Sequence, residues 1–378
     1  MHKVLIIGGS NGLGLCLSLM LLKDGHQVTV VDRIPPDTTI EGSENITFIQ
    51  ANLIEGDYSF LDKCQDIDTL IYTAGFGRVA HFETIHPTEI DNLFKVNTIS
   101  LFHVLRHYYD RMLHGEFHCG VMGSIAGLVS SPLFSIYGAT KAAICNGVES
   151  LNIELEKAGS SNRILVVAPG SIKGTRFNGG ENDLEATKQL AEEILKRIFN
   201  RETLYIPQYE EIFKSVIDQY HTDPHAYGIH SYDYKCQCGR FNEKPQMKIG
   251  YMSGTFDLFH VGHLNLIRRA KHCCDYLVVG VHRDASHKGK ETFIPLEERM
   301  DIVRNIKYVD KVILSEREDS DVYFKDIVKY DYLFVGSDYK GTERFNRYEE
   351  LFKDTGVKII YFPYTQGTSS TQLRRVIS

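Results

Sequence analysis

At 378 residues the chain exceeds one typical domain, and its length predicts two or three. Hydrophobic residues make up 43%, enough for real cores, and a net charge of −7 with a pI near 6.1 argues against a generalised nucleic-acid or anionic-membrane surface. No apolar run reaches the roughly 18 residues of a membrane span, no signal peptide precedes the first strand, and the eight scattered cysteines suit a reducing, cytoplasmic setting.

The chain opens with VLIIGGSNGLGLCLSLMLL, which reads as strand, glycine loop and helix. Gly8, Gly12 and Gly14, with Ser10 and Asn11 among them, predict a tight turn that lets the backbone approach a pyrophosphate at the helix N-terminus. The next strand, QVTVVD, ends in Asp32. A carboxylate there accepts from ribose hydroxyls and repels a 2′-phosphate, which favours NAD(H) over NADP(H); the neighbouring Arg33 reads as a solvated loop charge. IQANL (49–53), with Asn52, and LIYTAG (70–75), with Ala74 and Gly75, are strand ends carrying small or polar residues. Asn97 follows in FKVNTIS, Ser124 in VMGSIAG, and Tyr137 with Lys141 in YGATK. Tyrosine and lysine at i, i+4 share a helix face, where an ammonium beside the phenol is expected to lower its pKa and let it exchange a proton near neutral pH. Ser124 would hydrogen-bond a carbonyl or hydroxyl oxygen of the substrate. RILVVAPG then sets Pro169 and Gly170 after another strand.

Over residues 1 to about 215 this pattern resembles the short-chain dehydrogenase/reductase family. The resemblance rests on the glycine loop, on Thr73-Ala74-Gly75, on Asn97, Ser124, Tyr137 and Lys141, and on Pro169-Gly170. It implies catalytic roles for Asn97, Ser124, Tyr137 and Lys141. It also implies nicotinamide-cofactor binding by Gly8, Ser10, Asn11, Gly12, Gly14, Asp32, Asn52, Ala74, Gly75, Pro169 and Gly170. Two departures stand out: Tyr72-Thr73 replaces Asn-Asn before Ala-Gly, and SIKGT, which carries Thr175, is one residue longer than the family's spacing.

A charged helix, Asp183–Phe199, precedes LYIP and EEIFKSVIDQY. Residues 221–246, rich in His, Tyr, Gly and Pro, break the periodicity and read as a linker between a domain at 1–220 and another at 247–378. The histidines of this segment, with Cys236 and Cys238, read as polar linker residues. Neither that pair nor Cys273-Cys274 has CxxC spacing with a matching second pair, so no protein metal site is expected.

From Met247 strands (MKIGYM, YLVVGVH, KVILSE, YLFVGSD, VKIIYFP) alternate with helices (LNLIRRAKHC, LEERMDIVRNI, VYFKDIVKY, RFNRYEELFKDT), which predicts a parallel sheet with crossovers. The expectation for the whole chain is α/β: two doubly wound parallel-sheet (Rossmann-like) domains in tandem. The strand Lys248–Met252 runs into GTFDLFHVGH, and the amphipathic run Leu264–Lys271 follows. A loop between a strand C-terminus and a helix is where such folds bind phosphates. His260 and His263, three apart at the mouth of that helix, can face one ligand whose charge shifts during reaction. His282 and Asp284 end the next strand, Lys288 and Lys290 follow in a loop, and Ser369, Ser370 and Thr371 open the last helix.

This half, Lys248 to about Arg375, resembles the HxGH nucleotidyltransferases. The GTFDLFHVGH form is closest to cytidylyltransferases acting on glycerol 3-phosphate, phosphocholine and phosphoethanolamine. Three more blocks fall in family order: PLEERMDIVRNIKYVD, FVGSDYKGTERF and PYTQGTSSTQLRR. The resemblance implies catalytic roles for His260, His263 and the triphosphate-binding Arg299. It implies CTP binding by Gly254, Thr255, Phe256, His260, His263, Lys288, Arg299, Asp338, Thr368, Ser369, Ser370 and Thr371, with Mg²⁺ in attendance. Tyr364 stands where the family has arginine, and Gln366 where an acidic residue is common.

Together these readings predict a bifunctional cytoplasmic enzyme. An NAD(P)H-dependent reductase would turn a keto-sugar phosphate into a polyol phosphate, and CTP-dependent transfer would give a CDP-polyol plus pyrophosphate for a capsule or teichoic-acid-like surface polymer. Ribulose 5-phosphate to CDP-ribitol and dihydroxyacetone phosphate to CDP-glycerol both remain open. So do a silent dinucleotide-binding or dimerisation module, and a reductase acting on the CDP-linked product. No nucleic-acid or membrane partner is expected, and both resemblances imply a homo-oligomer, a dimer or a tetramer.

Overall fold

The computed structural model describes residues 1–175, 177, 182–237, 247–284, 291–315 and 318–363. The chain divides into two compact units, Met1–Pro245 and Gln246–Ser378.

In the first unit β1 (Lys3–Ile7) alternates its side chains between two cores. Leu5 and Ile7 pack with Leu70, Val104 and Val148, while Val4 and Ile6 pack with Leu17, Val30 and Ile194 on the opposite face. Such a strand is buried on both faces, which is why it reads as an unbroken apolar run. The remaining strands are β2 (Gln27–Asp32), β3 (Thr47–Gln50), β4 (Thr69–Tyr72), β5 (His118–Met122), β6 (Ile164–Val167) and β7 (Leu204–Tyr205). They pair in parallel in the order β3-β2-β1-β4-β5-β6-β7. The order reverses between β1 and β4, so the loops leaving those two strands flank a crevice at their carboxyl ends. The helices that bear on the site are α1 (Gly12–Lys23), α2 (Pro87–Phe94), α3 (Ser100–His114), α4 (Ser135–Lys157) and α5 (Leu184–Phe199).

The expected linker differs from the structure. After α6 (Lys214–Thr222), residues Pro224–Gln237 form a further helix, α7. Asp223 caps it by accepting from Ala226 N at 2.9 Å, and proline occupies its first position, where a missing N–H costs nothing. Lys235 of α7 donates to Ser131 Oγ (2.8 Å) and Pro132 O (2.9 Å), so this stretch belongs to the first unit.

The second unit carries β8 (Ile249–Gly254), β9 (Tyr276–His282), β10 (Lys311–Ser315), β11 (Tyr332–Gly336) and β12 (Lys358–Phe362), all parallel, in the order β10-β9-β8-β11-β12. Its helices are α8 (Val261–His272), α9 (Leu296–Arg304), α10 (Asp319–Phe324) and α11 (Glu343–Phe352). The switch of order lies between β8 and β11, beside the GTFDLFH loop. The helix expected over VYFKDIVKY is shorter than its apolar spacing implies. Asp326 turns to a left-handed φ of 56°, and the chain folds back so that Val328 N donates to Val322 O at 3.0 Å. No helix among the described residues is long and apolar enough to cross a membrane.

Candidate active sites

In the first unit the β1–α1 turn is built for close approach. Gly8 has a φ of +88°, and a side chain there would meet Ala74 N at 2.5 Å; one at Gly14 would meet Gly8 O at 2.3 Å. Thr73 Oγ1 donates to Ile7 O (3.1 Å) and Gly8 O (3.0 Å), tying the ends of β4 and β1 together. Asp32 accepts from Ser10 N (3.1 Å) and Arg33 N (2.6 Å), and burial raises its carboxyl above the usual range. Asn52 is buried and caps the turn at Leu53–Glu55 through Oδ1, while its Nδ2 has no hydrogen-bond partner among the described residues. A buried amide donor left over in this way, beside the acidic strand end and the glycine cradle, fits an adenine nucleotide. Gly12 N donates to Asn182 Oδ1 at 3.1 Å, Asn182 Nδ2 reaches Asn11 Oδ1 at 3.2 Å, and Thr175 packs against Gly12.

Asn97 lies in a π-helical turn, Lys95–Ile99. Its amide accepts from Phe76 N (3.0 Å) and donates to Phe76 O (2.9 Å) and Thr140 Oγ1 (3.0 Å); Thr140 Oγ1 in turn donates to Tyr137 O (2.7 Å). Asn97 therefore braces the helix that carries Tyr137. Tyr72, the departure from Asn-Asn, donates its hydroxyl to Val96 O (2.7 Å) and meets Ser100 Oγ at 2.6 Å, which clamps the turn holding Asn97.

Ser124 and Tyr137 are hydrogen-bonding neighbours, and Ser124 also caps Ala126 N at 3.2 Å. Ile125 N donates to Pro169 O at 3.0 Å, which draws Pro169-Gly170 to the same place. Tyr137 is sandwiched: Phe134 stacks on it at 4.1 Å and 13°, Phe177 lies at 5.3 Å, and a side chain at Gly77 would strike its ring at 2.5 Å. The expected electrostatics of the Tyr137–Lys141 pair differ. Burial pushes the phenol up, and the Ser124 hydrogen bond only offsets this in part. Lys141 Nζ sits 5.6 Å from the ring centroid and donates to Met122 O at 2.7 Å; burial holds its pKa down at about 8. A side chain at Gly75 would lie 3.3 Å from Asn97 Oδ1 and 3.5 Å from Lys141 Nζ, so Ala74-Gly75 leaves this floor open.

In the second unit His260 caps α8, its Nδ1 accepting from Gly262 N at 3.0 Å. The neutral ring therefore carries its proton on Nε2, and burial lowers its pKa. The rings of His260 and His263 stack with centroids 4.0 Å apart, and Phe256 and Phe259 each flank His263 at 5.4 Å. The loop from Gly254 is strained: Phe256 and Leu258 have φ of 52° and 50°. Two buried charges hold it there. Asp257 accepts from Phe293 N (3.1 Å) and Ile294 N (3.0 Å). Arg299, with no exposed surface, donates to Ile294 O, Thr255 O, His282 O and Arg283 O at 2.7–2.9 Å. The guanidinium expected at the triphosphate is thus engaged with backbone carbonyls. Asp338 lies beside Gly336, at the end of β11 across the switch point.

Sequence reasoning missed a third cluster at the same end of this sheet. Ser253 Oγ donates to Asp319 Oδ1 (2.5 Å) and lies 3.4 Å from His282 Nε2; Asp319 also pairs with Arg344 (2.8 Å). Arg344 stands in the FVGSDYKGTERF block, which was the available signal. Lys288, Lys290, Tyr364, Gln366, Thr368, Ser369, Ser370, Thr371 and Cys238 lie outside the described residues. Cys236 is exposed near the end of α7. Among the described residues no three of His, Cys, Asp and Glu converge on a metal position.

A family model described as short chain dehydrogenase matches residues 2–186, and one described as cytidylyltransferase-like matches residues 251–376. A glycerol-3-phosphate cytidylyltransferase of Bacillus spizizenii is 38% identical over 127 residues, 32% of this chain and 91% of that protein. Its counterpart in Staphylococcus aureus is 33% identical, over 32% of this chain and 89% of that protein. An uncharacterized oxidoreductase of Escherichia coli is 29% identical over 196 residues, 49% of this chain and 71% of that protein. Among solved structures, a short-chain dehydrogenase from Streptomyces avermitilis shares the fold, with a TM-score of 0.51, 18% identity, and coverage of 62% of this chain and 99% of that one.

Proposed function

The chain has a short-chain dehydrogenase domain in its N-terminal half and belongs through its C-terminal unit to the cytidylyltransferases related to glycerol-3-phosphate cytidylyltransferase; on that premise we propose that it reduces a keto-sugar phosphate and cytidylylates the resulting polyol phosphate. Both halves are of enzymatic families, one oxidoreductase and one CTP-using transferase. The reading is carried by one observation: each unit gathers its reactive side chains at the carboxyl ends of its strands, around its own switch point.

In the reductase, a nicotinamide cofactor held by the Gly8–Gly14 turn and Asp32 would supply the hydride to the carbonyl carbon. Tyr137 gives its proton to the carbonyl oxygen as charge builds there, and Ser124 donates a hydrogen bond to the same oxygen. A phenol kept protonated by burial suits the reducing direction. Lys141 and Asn97 act behind it, Lys141 facing the cofactor over Gly75 and Asn97 holding the helix. Asp32 accepts from the ribose hydroxyls, which favours NADH.

In the transferase, an oxygen of the acceptor's phosphate attacks the α-phosphorus of CTP. The bond to the β-phosphate breaks, and pyrophosphate leaves. No protein nucleophile is needed, since the attacking oxygen is already anionic. His260 Nε2–H, His263 and the positive end of α8 stabilise charge on the phosphoryl oxygens. Mg²⁺ accompanying the triphosphate would neutralise part of its charge. Arg299 keeps the loop in shape.

The product is a CDP-polyol for a surface polymer, CDP-ribitol or CDP-glycerol. Incubation with CTP, Mg²⁺ and a panel of keto-sugar and polyol phosphates, with and without NADH or NADPH, tests this by mass spectrometry. A CDP-polyol should form from polyol phosphate with CTP alone, and from keto-sugar phosphate only with reduced cofactor as well. Transfer without reduction of any keto-sugar phosphate would leave the first unit as a silent module; reduction only of a CDP-linked ketone would reverse the order.

A further inference from the structure

One buried ion pair of the first unit lies outside both sets of reacting side chains. The side chains of Arg78 and Glu89 are 2% and 3% exposed. Nε of the guanidinium donates to Glu89 Oε1 at 2.7 Å, and Nη2 donates to Glu89 Oε2 and to Thr84 O, each at 3.0 Å. Desolvating two charges is costly, and an apolar pair of the same volume is often no less stable. What a two-pronged pair adds is direction, since it fixes distance and angle together.

Arg78 lies on the loop between β4 and α2, and Glu89 on the first turn of α2. Just before Arg78, Gly77 is buried so close to the reacting phenol that a side chain there would meet the Tyr137 ring at 2.5 Å and the Phe134 ring at 3.1 Å. It is therefore backbone, with no side chain to yield, that meets the ring. Phe76, one residue earlier, is held at both its N–H and its carbonyl by the Asn97 amide. Just after Arg78, Ala80 N donates to Leu133 O at 2.8 Å. Leu133 takes a left-handed φ of 60° and leads into Phe134, whose ring stacks on Tyr137. The other end of that segment is held by Lys235 of α7, through Ser131 and Pro132. Phe213, in the turn leading into α6, packs on Gly170, where a side chain would meet its ring at 2.4 Å; the neighbouring Pro169 carbonyl accepts from Ile125 N beside Ser124.

We propose that Arg78 and Glu89 are positioning residues of the reductase: their pair holds Gly77 against Tyr137 and so sets where the phenol hydroxyl stands relative to Ser124. This rests on the reading of Tyr137 as the proton donor to a ketone. Both residues act through Gly77. A proton passes between heavy atoms only at hydrogen-bonding distance, and a misplacement of about 1 Å costs on the order of 10²-fold in rate. A loop pinned at Phe76 by Asn97 and at Ala80 by Leu133 still has freedom at the residues between, and the ion pair removes it.

The experiment replaces the pair as a unit, Arg78→Met with Glu89→Met, so that neither charge is left buried alone. With saturating NADH and ketone, kcat for reduction should fall about tenfold or more, while the Kd for NADH by cofactor fluorescence and the unfolding midpoint stay near wild type. The solvent deuterium isotope effect on kcat should rise, because the displaced proton transfer becomes slower relative to the other steps. Unchanged kcat and isotope effect in the folded double variant overturn the proposal, and so does an equal loss of NADH affinity. If the double variant does not fold, Gly77→Ala takes its place: its new methyl must push the ring, so the same loss of kcat with NADH binding retained is expected, and normal turnover overturns the proposal. If the wild type reduces no ketone, the functional reading fails, and the clamp is judged by hydrogen-exchange mass spectrometry. Faster exchange in the double variant confined to 76–80 and 133–138 upholds it; identical exchange in both proteins overturns it.

Discussion

His260 and His263 stack at 4.0 Å, with the Nδ1 of His260 fixed by Gly262 N–H. Such a pair presents donors at a set spacing only while both rings remain. His263→Ala should slow pyrophosphate release by ~10²-fold or more, the usual loss for one transition-state donor. Near-normal turnover would remove His263 from the mechanism, and much faster use of ATP than CTP would end the cytidylyl assignment.

Tyr137→Phe removes a hydroxyl at nearly constant shape between Phe134 and Phe177. Reduction should fall by ~10²- to 10⁴-fold, with NADH binding and cytidylyl transfer retained. Ketone-reduction assays run beside the CTP assay decide this, since loss of both activities would signal misfolding.

Burial holds Lys141 at about 8, below the ordinary lysine value, so it is cationic below that pH and loses its proton as pH rises through it. NADH affinity, followed by cofactor fluorescence, should weaken above about pH 8, and Lys141→Met should show no such inflection. An inflection that survives the substitution belongs to another group.

Arg299 serves four carbonyls at once. Arg299→Met would leave them buried without donors and should cost the second unit at least about 3 kcal/mol. Hydrogen-exchange mass spectrometry of β8 and β9 reads this directly. Unaltered exchange with a raised KM for CTP would make Arg299 a ligand and not a clamp.

Asp32→Ala should weaken NADH use and narrow its advantage over NADPH, with Arg33 then beside the 2′-phosphate. Steady-state kinetics with both cofactors check it. A wild type that prefers NADPH by about tenfold or more would show that Arg33 dominates instead.

What could be read from sequence was local. Tyr137 and Lys141 share a face because helical spacing fixes it, and Asp32 and Ser124 stand at strand ends because apolar runs stop there. The GTFDLFHVGH loop was legible for the same reason. What the sequence hid depends on contacts across the fold. Asp319 and Arg344 are 25 residues apart and meet only through the parallel crossover. The block containing Arg299 was visible, but not that its guanidinium turns inward. The composition of 224–237 resembled a loop, and only the Asp223 cap and packing on Ser131 make it a helix. Helical spacing sets Lys141 beside Tyr137 but carries no information on desolvation, which is the larger effect on the phenol.

The docking of Phe213 on Gly170 and of Lys235 on Ser131 has a practical consequence for dissecting the protein. A fragment ended where the dehydrogenase match stops, at residue 186, would lose the roof over its own reaction floor and expose apolar surface. A cut that spares both contacts therefore has to fall after Gln237, the last residue of α7.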